Sequence, residues 1–329
     1  MPPVFYNAGE GVHSCFADRY QCTPGGNSPD KATVTKPAQE WQVRGLLKTT
    51  AEFFLSKGVD EARLGAELLL AHVLKMARLD LYLQHERPVY PDELERFREL
   101  CRQRLGGRPL QYITGEQWFY GLPFHVDRRV LIPRPETELL VEFALELLES
   151  DGASASGVPR ILDAGTGSGC IALTMAIRMP TLQAVGIDVS LEALEVARTN
   201  AERHGAGDRV SFAVGDMTDP LFSPPGAPFD MLVSNPPYIP ESEWAGLQPE
   251  VRDHEPKLAL TVPVGMECYR ALAAMAGRLL RPGGRIALEI HADGAGGVVE
   301  LLEEAGMLDI VVKKDYAGLN RIVQGRLPR

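Results

Sequence analysis

The pentapeptide Ser234-Asn235-Pro236-Pro237-Tyr238 carries the side chains needed to hold a planar amino group. Proline fixes its own φ and keeps the preceding residue extended, so Asn235 and Pro236 are predicted to be rigid before a ligand binds. The Asn235 side-chain oxygen and the Pro236 carbonyl can accept two hydrogen bonds from one NH₂ group, while the Tyr238 ring stacks on its plane. An amide or aryl amine nitrogen is a weak nucleophile that depends on positioning and needs no general base here. We interpret Asn235, Pro236 and Tyr238 as catalytic and the segment 235–238, with Pro237, as substrate-binding.

A glycine-rich turn lies further upstream, after the apolar segment Ile161-Leu162-Asp163-Ala164. Its glycines at 165, 167 and 169 form G-x-G-x-G, whereas the dinucleotide fingerprint is G-x-G-x-x-G, so the spacing favours a nucleoside ligand without a diphosphate. Asp188 ends the next predicted strand, where a carboxylate can accept hydrogen bonds from ribose hydroxyls. These features by themselves leave NAD and S-adenosylmethionine both open.

Two more residues at the same predicted sheet edge suit an adenine ring. The Asp216 carboxylate could bind the adenine amine and Met217 could cover its face, although a capped turn before Pro220 explains them nearly as well. The Asn-Pro-Pro-Tyr loop decides for S-adenosylmethionine. The predicted cofactor-binding residues are Gly165, Thr166, Gly167, Ser168, Gly169, Asp188, Asp216, Met217 and Asn235.

Alternating apolar strands and helices in the C-terminal half would position these residues. That rhythm predicts parallel βαβ units, and hence an α/β fold with a seven-stranded doubly wound, Rossmann-like sheet. A helix is predicted at Glu138–Glu149 before the first strand. The predicted strands are Arg160–Ala164, Gln183–Ile187, Arg209–Val214, Phe229–Ser234, Arg285–Ile290, Ile310–Lys314 and Arg321–Gln324.

The N-terminal half has a different pattern. Residues 39–106 show helical apolar periodicity and predict a small all-helical domain. Residues 107–137 are rich in Gly, Pro and aromatic residues and predict a linker with a β-hairpin that serves as a lid. Residues 138–329 then form the ligand-binding domain, and residues 1–38 are predicted to be a disordered extension.

Composition argues against several classes of protein. The net charge of −10 and the pI near 5.3 disfavour a broad phosphate-binding surface, so no direct nucleic-acid partner is expected. No apolar run of membrane-spanning length and no signal peptide occur, which predicts a cytoplasmic protein without a membrane partner. The five cysteines are scattered and lack metal-ligand spacing, so neither disulfides nor a bound metal is expected.

The chain resembles the protein-glutamine methyltransferases that modify peptide chain release factors. The resemblance rests on the Asn-Pro-Pro-Tyr loop and on three further segments: Gly107–Gly115, Phe119–Gly121 and Leu131–Glu138. The later pattern is also present, as Glu250-Val251, Glu255-Pro256, Leu258-Ala259-Leu260, Gly265 and Tyr269. It implies a methyltransferase sheet, S-adenosylmethionine as donor, and the glutamine of a release factor's Gly-Gly-Gln motif as substrate. It also implies that the helical domain helps to dock the release factor.

Several alternatives remain open at the level of sequence. The substrate could instead be a glutamine of a large-subunit ribosomal protein or, less favoured by the acidic composition, an adenine amine in nucleic acid. A donor-binding scaffold without turnover is a fourth reading. The segment 289–296 departs from the family pattern and places His291 after a strand, where a loop histidine is the simpler interpretation. Glu136 and Glu138 could approach the donor's amino group.

Overall fold

The computed structural model describes residues 40–150 and 157–329, and the predicted extension at residues 1–38 lies outside them. The chain divides into two compact units between Thr114 and Gly115. The predicted domain bounds at 106 and 137 stay predictions. Within the described residues, no helix has both the length and the apolar character needed to cross a bilayer.

The first unit is helical. Its large apolar residues, such as Leu46, Phe54, Leu70 and Phe97, are fully buried and form one core. Proline begins its longest helix at a position where the missing N–H costs nothing, and Glu93 accepts a hydrogen bond from Tyr90 N at 2.9 Å. The elements are β1 (Trp41–Gln42), α1 (Val43–Ser56), α2 (Ala62–Leu74), α3 (Arg78–Leu83), β2 (Pro88–Val89), α4 (Pro91–Leu105) and α5 (Leu110–Thr114).

The second unit begins with a β-hairpin, β3 (Glu116–Phe119) and β4 (Leu122–His125). Tyr120 and Gly121 connect the strands with φ of 51° and 75°, and two successive positive φ values are typical of the tight turn that matches strand twist. The hairpin predicted within residues 107–137 is therefore present, and it spans residues 116–125.

A seven-stranded sheet forms the centre of the second unit, with strand order β12-β13-β11-β8-β5-β6-β7. This confirms the predicted α/β doubly wound fold. The strands are β5 (Arg160–Ala164), β6 (Gln183–Asp188), β7 (Val210–Val214), β8 (Phe229–Ser234), β11 (Leu280–Glu289), β12 (Leu308–Lys314) and β13 (Asn320–Arg326). A separate short parallel pair is formed by β9 (Ile239–Pro240) and β10 (Thr261–Val262).

Helices cover both faces of the sheet because side chains alternate along each strand. Ile161 packs in one core with α6 (Pro135–Ser150) and α7 (Cys170–Arg178), while its neighbour Leu162 packs in the other. The remaining helices are α8 (Leu191–Arg203), α9 (Pro249–His254), α10 (Glu267–Leu279) and α11 (Ala295–Glu304). Such two-sided burial explains why the strands read as nearly continuous apolar runs.

The expectation of parallel βαβ units is wrong for β13, which pairs antiparallel with both β11 and β12. A short turn at residues 315–319 joins β12 to β13, and so short a connection allows only a hairpin. The other strands are parallel, and the chain reverses its direction of strand addition between β5 and β8. A ligand crevice is expected outside the carboxyl ends of strands at such a switch point.

Candidate active site

A cavity of about 350 Å³ opens at this switch point, within the size range of small-ligand sites. Loops at the carboxyl ends of the parallel strands supply one wall, and segments 129–131 and 256–263 supply another. Seven of the residues predicted for cofactor or substrate binding lie in its lining: Gly165, Gly167, Asp188, Asp216, Met217, Asn235 and Pro237. The topology therefore brings together residues that are far apart in the chain.

The glycine turn follows β5 and leaves room for a ligand. Gly165 has a φ of +74°, and a Cβ there would lie 2.9 Å from Met217 Cε, so a larger residue would be strained and would crowd the cavity wall. Gly167 also has positive φ, at +54°, and its N–H donates to Asp188 Oδ2 at 2.9 Å. These contacts join the turn to the end of β6.

Three residues of the predicted turn do not line the cavity. Thr166 donates its hydroxyl hydrogen to Asp163 Oδ2 at 2.7 Å, and Ser168 is buried. Gly169 is the N-cap residue of α7, and a Cβ there would meet Leu173 at 3.0 Å, so its lack of a side chain serves helix packing. These three residues shape the turn, and their role in donor binding stays a prediction.

Asp188 is held at the end of β6 by two backbone donors, because Ser190 N also donates to its Oδ1, at 2.9 Å. Burial raises the pKa of Asp188, and the backbone hydrogen bonds from Ser190 and Gly167 oppose that rise. A carboxylate offers about four lone-pair sites, so Asp188 can still accept hydrogen bonds from the hydroxyl groups of a ribose. The side chain is therefore rigid and ready to bind.

Asp216 and Met217 follow β7. Asp216 Oδ1 accepts hydrogen bonds from the Thr218 N–H and hydroxyl, at 2.7 and 2.6 Å, as in the capped-turn interpretation. The residue also lines the cavity, so the two interpretations are compatible. Met217 is half-buried beside Gly165 and presents an adaptable apolar surface.

The Asn-Pro-Pro-Tyr loop leaves β8 beside the cavity. Asn235 is half-buried, and its Nδ2 donates to Thr137 Oγ1 at 3.0 Å. Pro236 is buried and Tyr238 packs against the core, where burial raises the pKa of its hydroxyl to about 12. The Tyr238 ring centroid lies 6.0 Å from that of the exposed His291. Pro236 and Tyr238 do not line the cavity itself but flank Asn235 and Pro237.

Sequence reasoning missed part of the cavity wall. Glu255 is buried, and its carboxylate accepts from Ile132 N at 3.1 Å and from Arg134 Nη2 at 2.6 Å. This ion pair holds the 129–134 segment against the segment that begins at Pro256. The available signal was the Glu255-Pro256 pair, which belongs to the pattern on which the family resemblance rests.

Glu136 and Glu138 lie on a different surface cavity, with Tyr120 and the 315–317 turn. Glu138 Oε1 accepts a hydrogen bond from Tyr120 N at 2.7 Å. Neither residue lines the cavity of the glycine turn, so their approach to a donor stays an open prediction.

Asp163 is fully buried in β5, and its Oδ1 has no hydrogen-bond partner among the described residues. Burial raises the pKa of this carboxyl to about 7, against the hydrogen bonds from Thr166 and Ala172. Because the unfolded-chain value is about 3.9, the folded protein holds an extra proton between about pH 4 and 7. The stabilisation of the fold by this proton is complete below the pKa of the unfolded chain. It is lost as the pH rises through the pKa of the folded protein.

Asp163→Asn should therefore show a pH-dependent effect on stability. We expect the wild-type free energy of unfolding, relative to the variant, to fall by about 1.4 kcal/mol per pH unit between about pH 5 and 7. Urea unfolding of both proteins at several pH values measures this difference. A difference that stays constant over the range would show that Asp163 is ionised throughout.

The fold and the cavity define a class of protein, the S-adenosylmethionine-dependent methyltransferases. A family model described as a methyltransferase domain matches residues 157–308, and one described as the PrmC N-terminal domain matches residues 45–115. The chain belongs to the release factor glutamine methyltransferase family. The relative of that name from Chlorobaculum tepidum is 55% identical over 282 residues, which cover 85% of this chain and 96% of the relative. The relative from Geobacter sulfurreducens is 40% identical over 295 residues, which cover 89% of this chain and 100% of the relative.

Proposed function

We propose that this protein methylates the side-chain amide nitrogen of the glutamine in the Gly-Gly-Gln motif of peptide chain release factors. Family membership supports the reaction and the substrate class. The single observation that carries the assignment to a site is the position of Asn235, which lies both in the Pro-stiffened loop and in the lining of the cavity. Methylation would link the protein to translation termination in the cytoplasm.

The residues around the cavity fit S-adenosylmethionine. Gly165 and Gly167 leave the backbone open to close approach, Asp188 offers carboxylate oxygens to a ribose, and Met217 offers an apolar surface to a purine. When bound, S-adenosylmethionine supplies an activated methyl group on a sulfonium. Asp216 has an exposed carboxylate at the cavity wall that suits an exocyclic amine.

The loop residues would act by holding and orienting the amide. Asn235 Oδ1 and the Pro236 carbonyl accept its two hydrogens, which concentrates negative potential where positive charge grows on nitrogen. Both prolines prevent the loop from changing shape, so little ordering entropy is lost on binding. Tyr238 keeps its phenol protonated and neutral, since burial raises its pKa to about 12, and it acts through its ring.

The first unit is proposed to dock the release factor, in line with the match to the PrmC N-terminal domain model. It presents several large apolar side chains to solvent: Leu55, Leu79, Tyr82, Leu83 and Tyr90. Such residues suit a protein surface better than a nucleic acid. Neither nucleic acid, membrane nor metal is part of the proposal.

A methylation assay with purified components tests this function. Protein, S-adenosylmethionine with a labelled methyl group and a purified release factor are incubated, and the loop peptide is analysed by mass spectrometry. We expect one methyl group on the glutamine, and none when that glutamine is replaced by asparagine, because the shorter side chain places the amide about 1.5 Å away from the required position. Label on a ribosomal protein or on adenine instead, or donor binding without any transfer, would contradict the proposal.

A further inference from the structure

We propose that Thr137 and Glu289 are positioning residues, which hold the Asn235 amide with its oxygen turned toward the substrate. The inference rests on the proposed function of the Asn235 loop and deepens it. Thr137 is near the start of α6, Glu289 ends β11, and Asn235 follows β8, so three separate elements meet at this point.

A continuous set of hydrogen bonds connects the three side chains. The Thr137 hydroxyl donates to Glu289 Oε2 at 2.6 Å, and Asn235 Nδ2 donates to Thr137 Oγ1 at 3.0 Å. Both Thr137 and Glu289 are 2% exposed, so water does not compete for these bonds. Tyr269 further holds this end of β11 by donating its hydroxyl hydrogen to the Glu289 backbone oxygen at 3.1 Å.

The number of hydrogens determines the orientation of Asn235. A threonine hydroxyl has one hydrogen, and here the Glu289 carboxylate takes it. Only a lone pair of Thr137 then faces Asn235, so the NH₂ side of the amide must point at it. The reversed amide would place its oxygen opposite the Thr137 oxygen, and two acceptors repel each other. Asn235 Oδ1 is therefore held on the side away from Thr137, where it can accept from the substrate amide.

The ionised form of Glu289 is the one that gives this order of bonds, because a carboxylic acid can donate its own hydrogen to Thr137. Burial raises the pKa of Glu289 to about 7, and the Thr137 hydrogen bond opposes that rise. The other charged or titratable groups that face Glu289 are Arg134, Glu136, Cys170, Tyr238, Tyr269 and Arg321. Orientation of Asn235 is thus expected to be firmest above about pH 7.

Thr137→Val tests the inference, since valine keeps the shape and removes the hydroxyl. We expect kcat for glutamine methylation to fall by about tenfold, the cost of one misplaced buried hydrogen bond, with the donor Kd within about twofold of wild type. Thr137→Ser restores the hydroxyl and should recover most of the rate. Thr174→Val is the matched control, because Thr174 is buried and its hydroxyl has no partner within the described residues.

Glu289→Leu provides a second variant, because leucine has a similar size and removes the acceptor of the Thr137 hydroxyl hydrogen. It should lower kcat about as much as Thr137→Val does, and the double variant should lose little more, because both substitutions break one set of bonds. The ratio of the wild-type kcat to the Thr137→Val kcat should fall as the pH is lowered from about 8 to about 6, because the variant lacks the link to Glu289. Asp163 titrates in both proteins, so its contribution cancels in the ratio.

The Asn235 side-chain NH₂ signals in a ¹⁵N NMR spectrum separate this inference from the proposed function, because they need no substrate. These signals are assigned by their loss in Asn235→Ala, and Thr137→Val should move them and speed their exchange with water. Wild-type kcat and unchanged NH₂ signals in both the Val and Leu variants would overturn the inference, as would a Thr137→Ser variant no better than Thr137→Val. If the wild-type protein methylates no release factor while the signals respond as described, the proposed function fails and the positioning role stands.

Discussion

Asn235→Ala is expected to lower kcat for glutamine methylation by about 10²–10³-fold, as loss of a preorganised polar group in an active site commonly does. Asn235 lies at the carboxyl edge of β8 in the cavity lining, and its amide is held by Thr137. Alanine removes one of the two proposed acceptors for the substrate NH₂ and leaves the nitrogen free to rotate. Because Asn235 also lines the donor cavity, donor binding should weaken but persist.

Single-turnover methylation of a release factor, together with calorimetric titration of the donor, measures both quantities. Asn320→Ala serves as the control, since Asn320 begins β13 and does not line the cavity. A variant that retains wild-type turnover would refute the assignment of Asn235 as a catalytic residue. A variant that loses donor binding entirely would contradict the expectation that the donor is held mainly by other residues.

Asp188→Ala is expected to raise the donor Kd by about 100-fold, the loss anticipated for charge-assisted hydrogen bonds to two ribose hydroxyls. The substitution also leaves the Gly167 and Ser190 N–H groups without the acceptor that shapes the glycine turn. Both effects act on the bound donor before any chemistry occurs. With saturating donor, kcat should therefore change far less than donor affinity.

Calorimetric titration with S-adenosylmethionine and with its demethylated product measures this effect. Asp208→Ala is a suitable control because Asp208 is exposed and lies outside the cavity lining. Equal donor affinity in Asp188→Ala and Asp208→Ala would mean that the donor is held elsewhere. A loss of kcat without a loss of affinity would place Asp188 in catalysis and contradict the role proposed here.

Local sequence patterns predicted the sheet well because they report on local physics. Continuous apolar runs marked β5, β6 and β8, since strands covered on both faces bury the side chains along their centres. The antiparallel direction of β13 was missed, because it depends on the length of one turn and not on the apolar pattern of the strand. The largest shift in strand bounds is at β11, an interior strand predicted at residues 285–290 and observed at Leu280–Glu289.

The candidate site was predictable where one segment carries its own constraint. Glycines at 165 and 167 require positive φ, and the prolines at 236 and 237 stiffen the loop whatever surrounds them. A parallel sheet then brings both segments to one edge. The roles assigned to these residues stay predictions, and the substitutions above are their test.

By itself, the sequence determined the strands, the glycine turn, the rigid loop and the edge of the sheet at which they meet. Only the tertiary structure decided what each polar side chain contacts: Thr166 turns to Asp163, and Thr137 joins Glu289 across 152 positions of chain. The physical reason is that backbone conformation follows from neighbours in sequence, whereas the single hydrogen of a buried hydroxyl goes to whichever acceptor the folded chain places beside it.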